Sequence, residues 1–360
     1  MGEKNSMIRG ALLGMAVGDA MGLAINKLSW EEICENYGPN GLLGYDLRND
    51  SAEVSSYTQV AAYVANGLLL SVTRGKPELR LRYMSEAMRQ WAKRQHFPRD
   101  PEKNPFWVSQ ISELRKRQCQ DPRMLDATRF DPMGSLEKPI NQSNTPGAIM
   151  TGAVIGLFYD PKRMDLPQIG TLATQAVALT HGDPEAFLSA AVLAYVIYGL
   201  RFHPDNSLKE QFLRAIETVD HLFRNKYPQT TALSNRLKLT IGMVENKNME
   251  PQQRMEQLYC GSAGECLAGA MYACLASDED FDRAMIIAVN HSGRSSAVGA
   301  IAGAILGAKL TEEALPEFYL ESLEAAKVLR TLADDLALGS PAAGLFDDDW
   351  DHKYVQGLPL

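Results

Sequence analysis

Apolar side chains recur along this chain with the period of an α-helix almost everywhere. Leu208, Phe212, Ile216, Val219 and Phe223 fall on an i, i+4, i+8, i+11, i+15 track, one face of an amphipathic helix. Ser207, with Glu210 three residues later, marks its start as a capping box. A second helix is expected to begin at Asp183-Pro184-Glu185. There the aspartate accepts from the first turn, and proline at the first helical position gives up no needed N–H. Residues 186–202 are apolar on nearly every side, the pattern of a helix buried all round. Val60, Val64, Gly67 and Leu68 share a face of another helix, expected to end near Gly75. Residues 297–308 are mostly Ala, Gly and Ile, small side chains that let helices approach closely. Alternating strand patterns flanked by hairpin turns are scarce. The expected class is all-α.

No repeat, low-complexity tract or linker-like stretch divides the chain, and helical pattern resumes after every loop. Residues 1–338 therefore read as one compact multi-helix domain, and residues 339–360 as a C-terminal tail where periodicity fades. With 360 residues, 45% hydrophobic and 22% charged, the chain has the composition of a soluble globular protein with a large core. Its net charge of −8 gives no reason to expect nucleic acid or an anionic membrane as partner. Cys34, Cys119, Cys260, Cys266 and Cys274 are odd in number and lack C-x-x-C spacing. That argues against a disulfide framework or zinc site and suits a reducing cytoplasm. The apolar run at 10–25 could pass for a signal peptide, but Asp19 in its middle makes it a buried first helix. No run is expected to be long enough to span a membrane.

Residues 76–130 depart in charge, with 13 Lys/Arg against 7 Asp/Glu, a balance of +6. Trp91, Phe97, Phe106 and Trp107 are interleaved there. Such a segment is either a docking surface for an acidic partner or a solvated helical face with aromatics turned inward; the second is the expectation. Asp347-Asp348-Asp349-Trp350-Asp351 lacks the ligand spacing and central glycine of a calcium loop and reads as an acidic tail.

Four motifs occur in a telling order: R-G-A-L-L-G-M-A-V-G-D-A-M-G at 9–22, G-A-I-M-T-G-A-V-I-G at 147–156, L-T-H-G-D-P-E-A at 179–186 and G-E-C-L at 264–267. With N-H-S-G-R-S-S-A-V-G-A-I-A-G at 290–303, the chain resembles the ADP-ribosylglycohydrolase family over about residues 8–336. The resemblance implies an all-helical domain whose cleft holds two magnesium ions. These polarise the ribose of an ADP-ribosyl group while a carboxylate-activated water cleaves the glycosidic bond. Such a centre needs hard, anionic oxygen ligands. The family draws them from an acidic residue after the first helix, an S/T-D-D-T motif and a D-x-D-T motif.

This sequence departs at each of those positions. The first is Asn26; the second motif reads Ser55-Ser56-Tyr57-Thr58; the third reads Arg294-Ser295-Ser296-Ala297. Five carboxylates become four neutral groups and one cation, from −5 to +1 in formal charge. Arg294 repels a divalent cation by several kcal/mol even at a moderate dielectric, of order 4 kcal/mol per unit charge pair at 4 Å. No magnesium and no other cofactor is expected. By the family mechanism the chain is a pseudoenzyme with no catalytic residue. Asp50 and Glu53, just ahead of Ser56, are the candidates for a rescued, metal-independent hydrolase, against a plain role in a solvated loop. His181 reads as a satisfied loop histidine, His291 stays open, and Cys260 and Cys266 read as core.

The altered cleft is expected to comprise Asn26, Ser55, Ser56, Tyr57, Thr58, Gly293, Arg294, Ser295 and Ser296. Helix starts near Tyr57 and after Ser296 would offer N–H groups, and Arg294 a fork of donors suited to phosphate or carboxylate. Such a cleft binds an ADP-ribose-like or other anionic small molecule, or a protein partner, without hydrolysis. In the competing reading Arg294 pairs with Glu53 or Asp19 and plugs the hole. A structural, crystallin-like role is the remaining alternative, since some lens crystallins resemble the family.

Overall fold

The computed structural model describes residues 2–99, 104–246, 248–339 and 348–355. Among these residues the regular structure is helical, apart from two isolated β-bridges, Arg48 with Ser51 and Ala52 with Leu323. The first part of the chain holds α1 (Gly2–Leu23), α2 (Trp30–Tyr37), α3 (Ser56–Thr73), α4 (Arg80–His96) and α5 (Pro122–Ala127). The middle holds α6 (Met150–Phe158), α7 (Leu166–Ala178), α8 (Pro184–Phe202), α9 (Leu208–Phe223), α10 (Gln229–Met243) and α11 (Pro251–Gln257). Then follow α12 (Ala263–Ala276), α13 (Phe281–Val289), α14 (Ser295–Leu310), α15 (Glu317–Ser322), α16 (Ala326–Leu338) and the short α17 (Asp348–Trp350).

The central pairing is α1 against α14, and small residues at four-residue intervals make it possible. Gly10, Gly14 and Gly18 face Gly307, Gly303 and Gly299, and Gly22 faces Ser295, so the helices run antiparallel. A Cβ on Gly14, Gly18 or Gly303 would overlap the carbonyl oxygen of Gly303, Gly299 or Gly14 respectively. One i±4 ridge on each helix is thus reduced to bare backbone, and the axes come closer than side chains would permit. The same device joins α6 to α8, where Gly152 and Gly156 lie on the carbonyls of Ala190 and Ala194.

The periodic track of α9 is wholly buried, and Ser207 and Glu210 form the expected capping box. Asp183 caps α8 through the N–H of Glu185, with Pro184 in the first turn. Every residue from Ala186 to Leu200 is buried. Against the expectation of no spanning run, Pro184–Phe202 is long and apolar enough to cross a bilayer by composition; 83% of it is buried inside the fold. Its apolar circumference is met by neighbouring helices.

Of the aromatics in the basic segment, Trp91 and Phe106 are fully buried, Trp107 is half-buried and Phe97 is exposed. Several of its cations are tied internally, Lys116 to Glu53 and Glu324 and Arg89 to Glu86 and Asp131. Near the C-terminus, Trp350 and Tyr354 are buried, and Lys353 pairs with Asp335 at 2.7 Å and Asp349 at 2.8 Å. The segment 348–355 is thereby fastened onto α16; residue 347 of the acidic run lies outside the described residues.

Candidate functional site

The α1–α14 pairing places three chain segments around one point: the residues after α1, the start of α3 and the start of α14. Asp19 projects from α1 beneath the start of α3. It accepts from the backbone N–H of Ser55 (2.9 Å) and Thr58 (3.1 Å) and from the hydroxyls of Ser55 (2.5 Å) and Thr58 (2.7 Å). Ser55 Oγ also accepts weakly from Tyr57 N (3.3 Å). Burial pushes the Asp19 carboxyl up to about 6, against the pull of those four hydrogen bonds. Ser55 and Thr58 are therefore spent on holding α1 to α3, and the N–H groups expected to be open there are largely taken.

Beside this cap lies a neutral polar knot. The Asn26 side-chain amide donates to Gln120 Oε1 (2.7 Å), and its oxygen accepts from Ser296 N (3.4 Å). Ser56 Oγ accepts from Gln120 N (3.0 Å), and Ser56 N donates to the Gln118 carbonyl (3.0 Å). Ser295 Oγ reaches the His291 carbonyl at 3.4 Å. Gly293 is buried under the 259–260 loop, and its carbonyl accepts from Lys27 N (3.0 Å). Of the nine cleft residues, only Asn26 and Arg294 are half-buried; the other seven are buried, so this wall is more packed than the sequence suggests.

Arg294 occupies the N-cap of α14 without capping it through its side chain. Its Nε donates to the Gly261 carbonyl (2.9 Å), and its backbone N–H to the Cys260 carbonyl (3.0 Å). The plugging pairs do not form. Glu53 is held by Lys116 (2.8 Å) and Gln118 (2.8 Å), Asp19 by the α3 cap, and Asp50 sits exposed at φ +58°. Glu53 touches the knot only at the Gln118 side-chain amide, and no hydrogen bond joins Asp50 to it among the described residues. The Tyr57 and Ser296 hydroxyls are fully buried and have no hydrogen-bond partner among the described residues. Burial drives the Tyr57 phenol well up, and the charge of Arg294 works in the other direction.

Residues that sequence reasoning did not single out complete the site. Asp121 caps α5 through Arg123 N (3.1 Å) and also takes the Thr145 hydroxyl and His181 Nε2 (3.2 Å). Burial opposes its ionisation, but His181, Thr145 and the field of Arg294 together hold it well below the usual carboxylate range. His181 is closed on its other side by Thr180 Oγ1 (2.8 Å), a histidine fully satisfied within the fold. Asp121-Pro122 is legible as a helix start, like Asp183-Pro184; its long-range bonds are not. Gln118 and Gln120 carry no sequence signal at all. His291 is buried, with Nδ1 accepting from Gly293 N (2.9 Å) and Nε2 without a hydrogen-bond partner among the described residues, and burial lowers it to about 4. Burial raises the Cys260 and Cys266 thiols, which disfavours the nucleophilic thiolate.

The ADP-ribosylglycohydrolase family model matches residues 3–344. The chain belongs to the ADP-ribosylglycohydrolase family. A protein of Archaeoglobus fulgidus, described as uncharacterized, is 28% identical over 338 residues, 91% of this chain and 95% of its own length. A solved structure, an ADP-ribosylglycohydrolase-related protein complex, matches at TM-score 0.58 and 22% identity, covering 94% of this chain and 100% of the other. That likeness establishes the all-helical fold. The magnesium pair implied for the ADP-ribosylglycohydrolases does not fit the side chains present. Asn26 and Ser56 are engaged in the amide knot, and Tyr57 and Ser296 bring neutral hydroxyls. Arg294 brings a cation. Among the described residues no group of three His, Cys, Asp or Glu side chains is placed to hold a metal ion.

Proposed function

We propose that this chain is an ADP-ribosylglycohydrolase-family protein that has exchanged metal-dependent hydrolysis for metal-independent binding of an anionic, ADP-ribose-like ligand in the cleft beside Arg294. The observation that carries this reading is the amide knot. At the family's carboxylate positions, Asn26 and Ser56 bond to Gln120, and Asn26 also to the Ser296 N–H, while Arg294 stands beside them without an acidic partner among the described residues. The knot residues themselves bring no carboxylate to the family's ligand positions, and so none to hold magnesium or to activate water there. A half-buried guanidinium favours an anion in the same place.

Calorimetric titration with ADP-ribose tests the reading. Binding of equal affinity with magnesium and with chelator is expected, and release of ADP-ribose from a modified protein no faster than in the blank. Magnesium-dependent turnover, or no heat at millimolar ADP-ribose, overturns it. The burial of seven of the nine cleft residues favours a second reading, a structural protein without a small ligand. Absence of ADP-ribose binding together with an unaltered fold in Arg294→Ala would select that one. The five free cysteines are in keeping with a reducing compartment, which we also propose.

A further inference from the structure

The basic segment at 76–130 leaves one of its aromatics outside the core. Phe97, at the C-cap of α4, is 63% exposed, and it lines a cavity of about 730 Å³ with Lys93, His96, Pro98, Arg99 and Arg117. That volume lies within the range of small-molecule sites, roughly 300–1,000 Å³. Among the described residues no carboxylate lines it, on a chain whose net charge is −8. The negative end of the α4 dipole accounts for Lys93, Arg94 and His96 in the last turn. It does not account for Arg99, which lies beyond the helix, or for Arg117, which arrives 21 residues after His96. Neither arginine forms an ion pair among the described residues. Arg117 is set in place by the buried side chain of Gln95. Gln95 Nε2 donates to the Lys116 carbonyl (3.0 Å) and Gln95 Oε1 accepts from Gln118 N (3.0 Å), so the backbone on both sides of Arg117 is pinned to α4. Arg117 Nη2 then donates to the His96 carbonyl at 2.7 Å. The loop that brings Gln118 and Gln120 into the knot thus also brings Arg117 to the cavity of Phe97 and Arg99.

We propose that the cavity at the end of α4 binds a nucleotide, its phosphates on Arg99 and Arg117 and its base against the Phe97 ring. Charge complementarity selects an anion. Guanidinium forks from two separate segments line one space, and such forks match phosphate oxygens. The Phe97 ring selects a flat group on the same ligand, because an apolar ring left in water gains from being covered and bases of any identity stack on it. A bare phosphate would leave Phe97 in water, and a neutral aromatic molecule would leave the arginines unmatched. The lining comes from two short segments, 93–99 and 117, well below the roughly 20 residues a side of a stable protein interface. That footprint suits a small molecule. The site is separate from the cleft beside Arg294 and does not rest on the reading of that cleft.

GDP, which lacks the adenosine of ADP-ribose, is titrated by calorimetry into the full chain in chelator-treated buffer, beside pyrophosphate, guanosine and an oligo-aspartate peptide. Saturable binding of GDP is expected, roughly tenfold tighter than that of pyrophosphate or guanosine. Phe97→Ala is expected to weaken GDP by roughly tenfold and to leave pyrophosphate unchanged. Arg99→Gln is expected to weaken GDP and pyrophosphate alike and to reduce the fall of affinity with added salt. Both side chains are exposed, so neither variant disturbs the fold. No saturable binding of GDP overturns the proposal. GDP binding that survives both Phe97→Ala and Arg99→Gln also overturns it, because the nucleotide then sits elsewhere, whatever ADP-ribose does at Arg294. Pyrophosphate binding as tightly as GDP would make the cavity a bare anion patch. An oligo-aspartate peptide that binds more tightly than GDP and displaces it would make it a docking face for an acidic protein. Either result overturns the nucleotide.

Discussion

At the start of α3 the first-turn N–H groups meet the buried carboxylate of Asp19, which α1 delivers from below with four hydrogen bonds. At the start of α14, one step away along the same α1, no carboxylate accepts from the first-turn N–H groups among the described residues; Arg294 sits at the N-cap and the Ser296 N–H meets the Asn26 amide oxygen at 3.4 Å. Both helix ends carry the same partial positive charge. One is neutralised from within the chain and is closed. The other carries the charge of Arg294 in addition, and the Ser296 hydroxyl of its first turn has no hydrogen-bond partner among the described residues. Internal compensation makes a helix start part of the architecture, and its lack makes one a candidate for a ligand.

The largest expected effect removes the frame that both ends share. Gly303→Val places a side chain against the Gly14 carbonyl, where no rotamer can avoid the backbone of α1. A loss of more than about 3 kcal/mol is expected, at the upper end of overpacking costs. Thermal melts followed by circular dichroism check it, and a variant of near-native Tm would mean that α1 and α14 are free to slide apart. Next comes the contrast itself. Asp19→Ala strands two buried N–H groups and two hydroxyls, a cost of about 3 kcal/mol, whereas Arg294→Ala loses one bond and relieves a cation at a helix start, a change within about 1 kcal/mol. Chemical denaturation of the two variants measures the difference; equal losses would erase the distinction drawn between the two ends.

The smallest effect concerns His291, which follows α13 and leads into α14. Its folded pKa of about 4 lies below the ordinary 6.5 because burial disfavours the imidazolium. Between those values the unfolded chain binds more protons than the folded one, so the group's contribution to stability falls as the pH is lowered from 6.5 toward 4. Asp19 works in the opposite direction over roughly pH 4 to 6, since its folded pKa is raised to about 6. His291→Gln leaves the Asp19 contribution in place, so the difference between the two Tm–pH curves isolates the histidine. The wild type is expected to lose Tm faster than the variant below pH 6.5; parallel curves would show that His291 takes up its proton without disturbing the α14 start.

Much of the frame was readable because its causes are local. The capping box at Ser207 and the Asp183-Pro184 start act within one turn, and the buried track of α9 repeats every turn. The expected end near Gly75 was close because α3 stops at Thr73 and the chain then turns at Gly75, φ +65°. The exchange of carboxylates for Asn26, Ser56, Tyr57, Arg294 and Ser296 was readable as chemistry, residue by residue. Which of these would face one another was not. Ser55 and Thr58 belonged to the same motif yet serve the Asp19 cap, and Glu53 turned to Lys116. Gln118 and Gln120 entered the site from a loop about 60 residues further along, where no periodicity or motif marked them.

Sequence alone determined the class, the helix starts and the loss of negative charge at five positions, because propensity, capping and formal charge are properties of residues and their near neighbours. It also determined that α14 is made of small residues. Only the tertiary structure decided that those small residues meet the glycines of α1 backbone to backbone, that Asp19 is taken by α3, and that Arg294 is left without an acid among the described residues. These outcomes depend on which side chains arrive at the same place from distant parts of the chain. A carboxylate satisfies the helix end it reaches, and here α1 brings its carboxylate to α3.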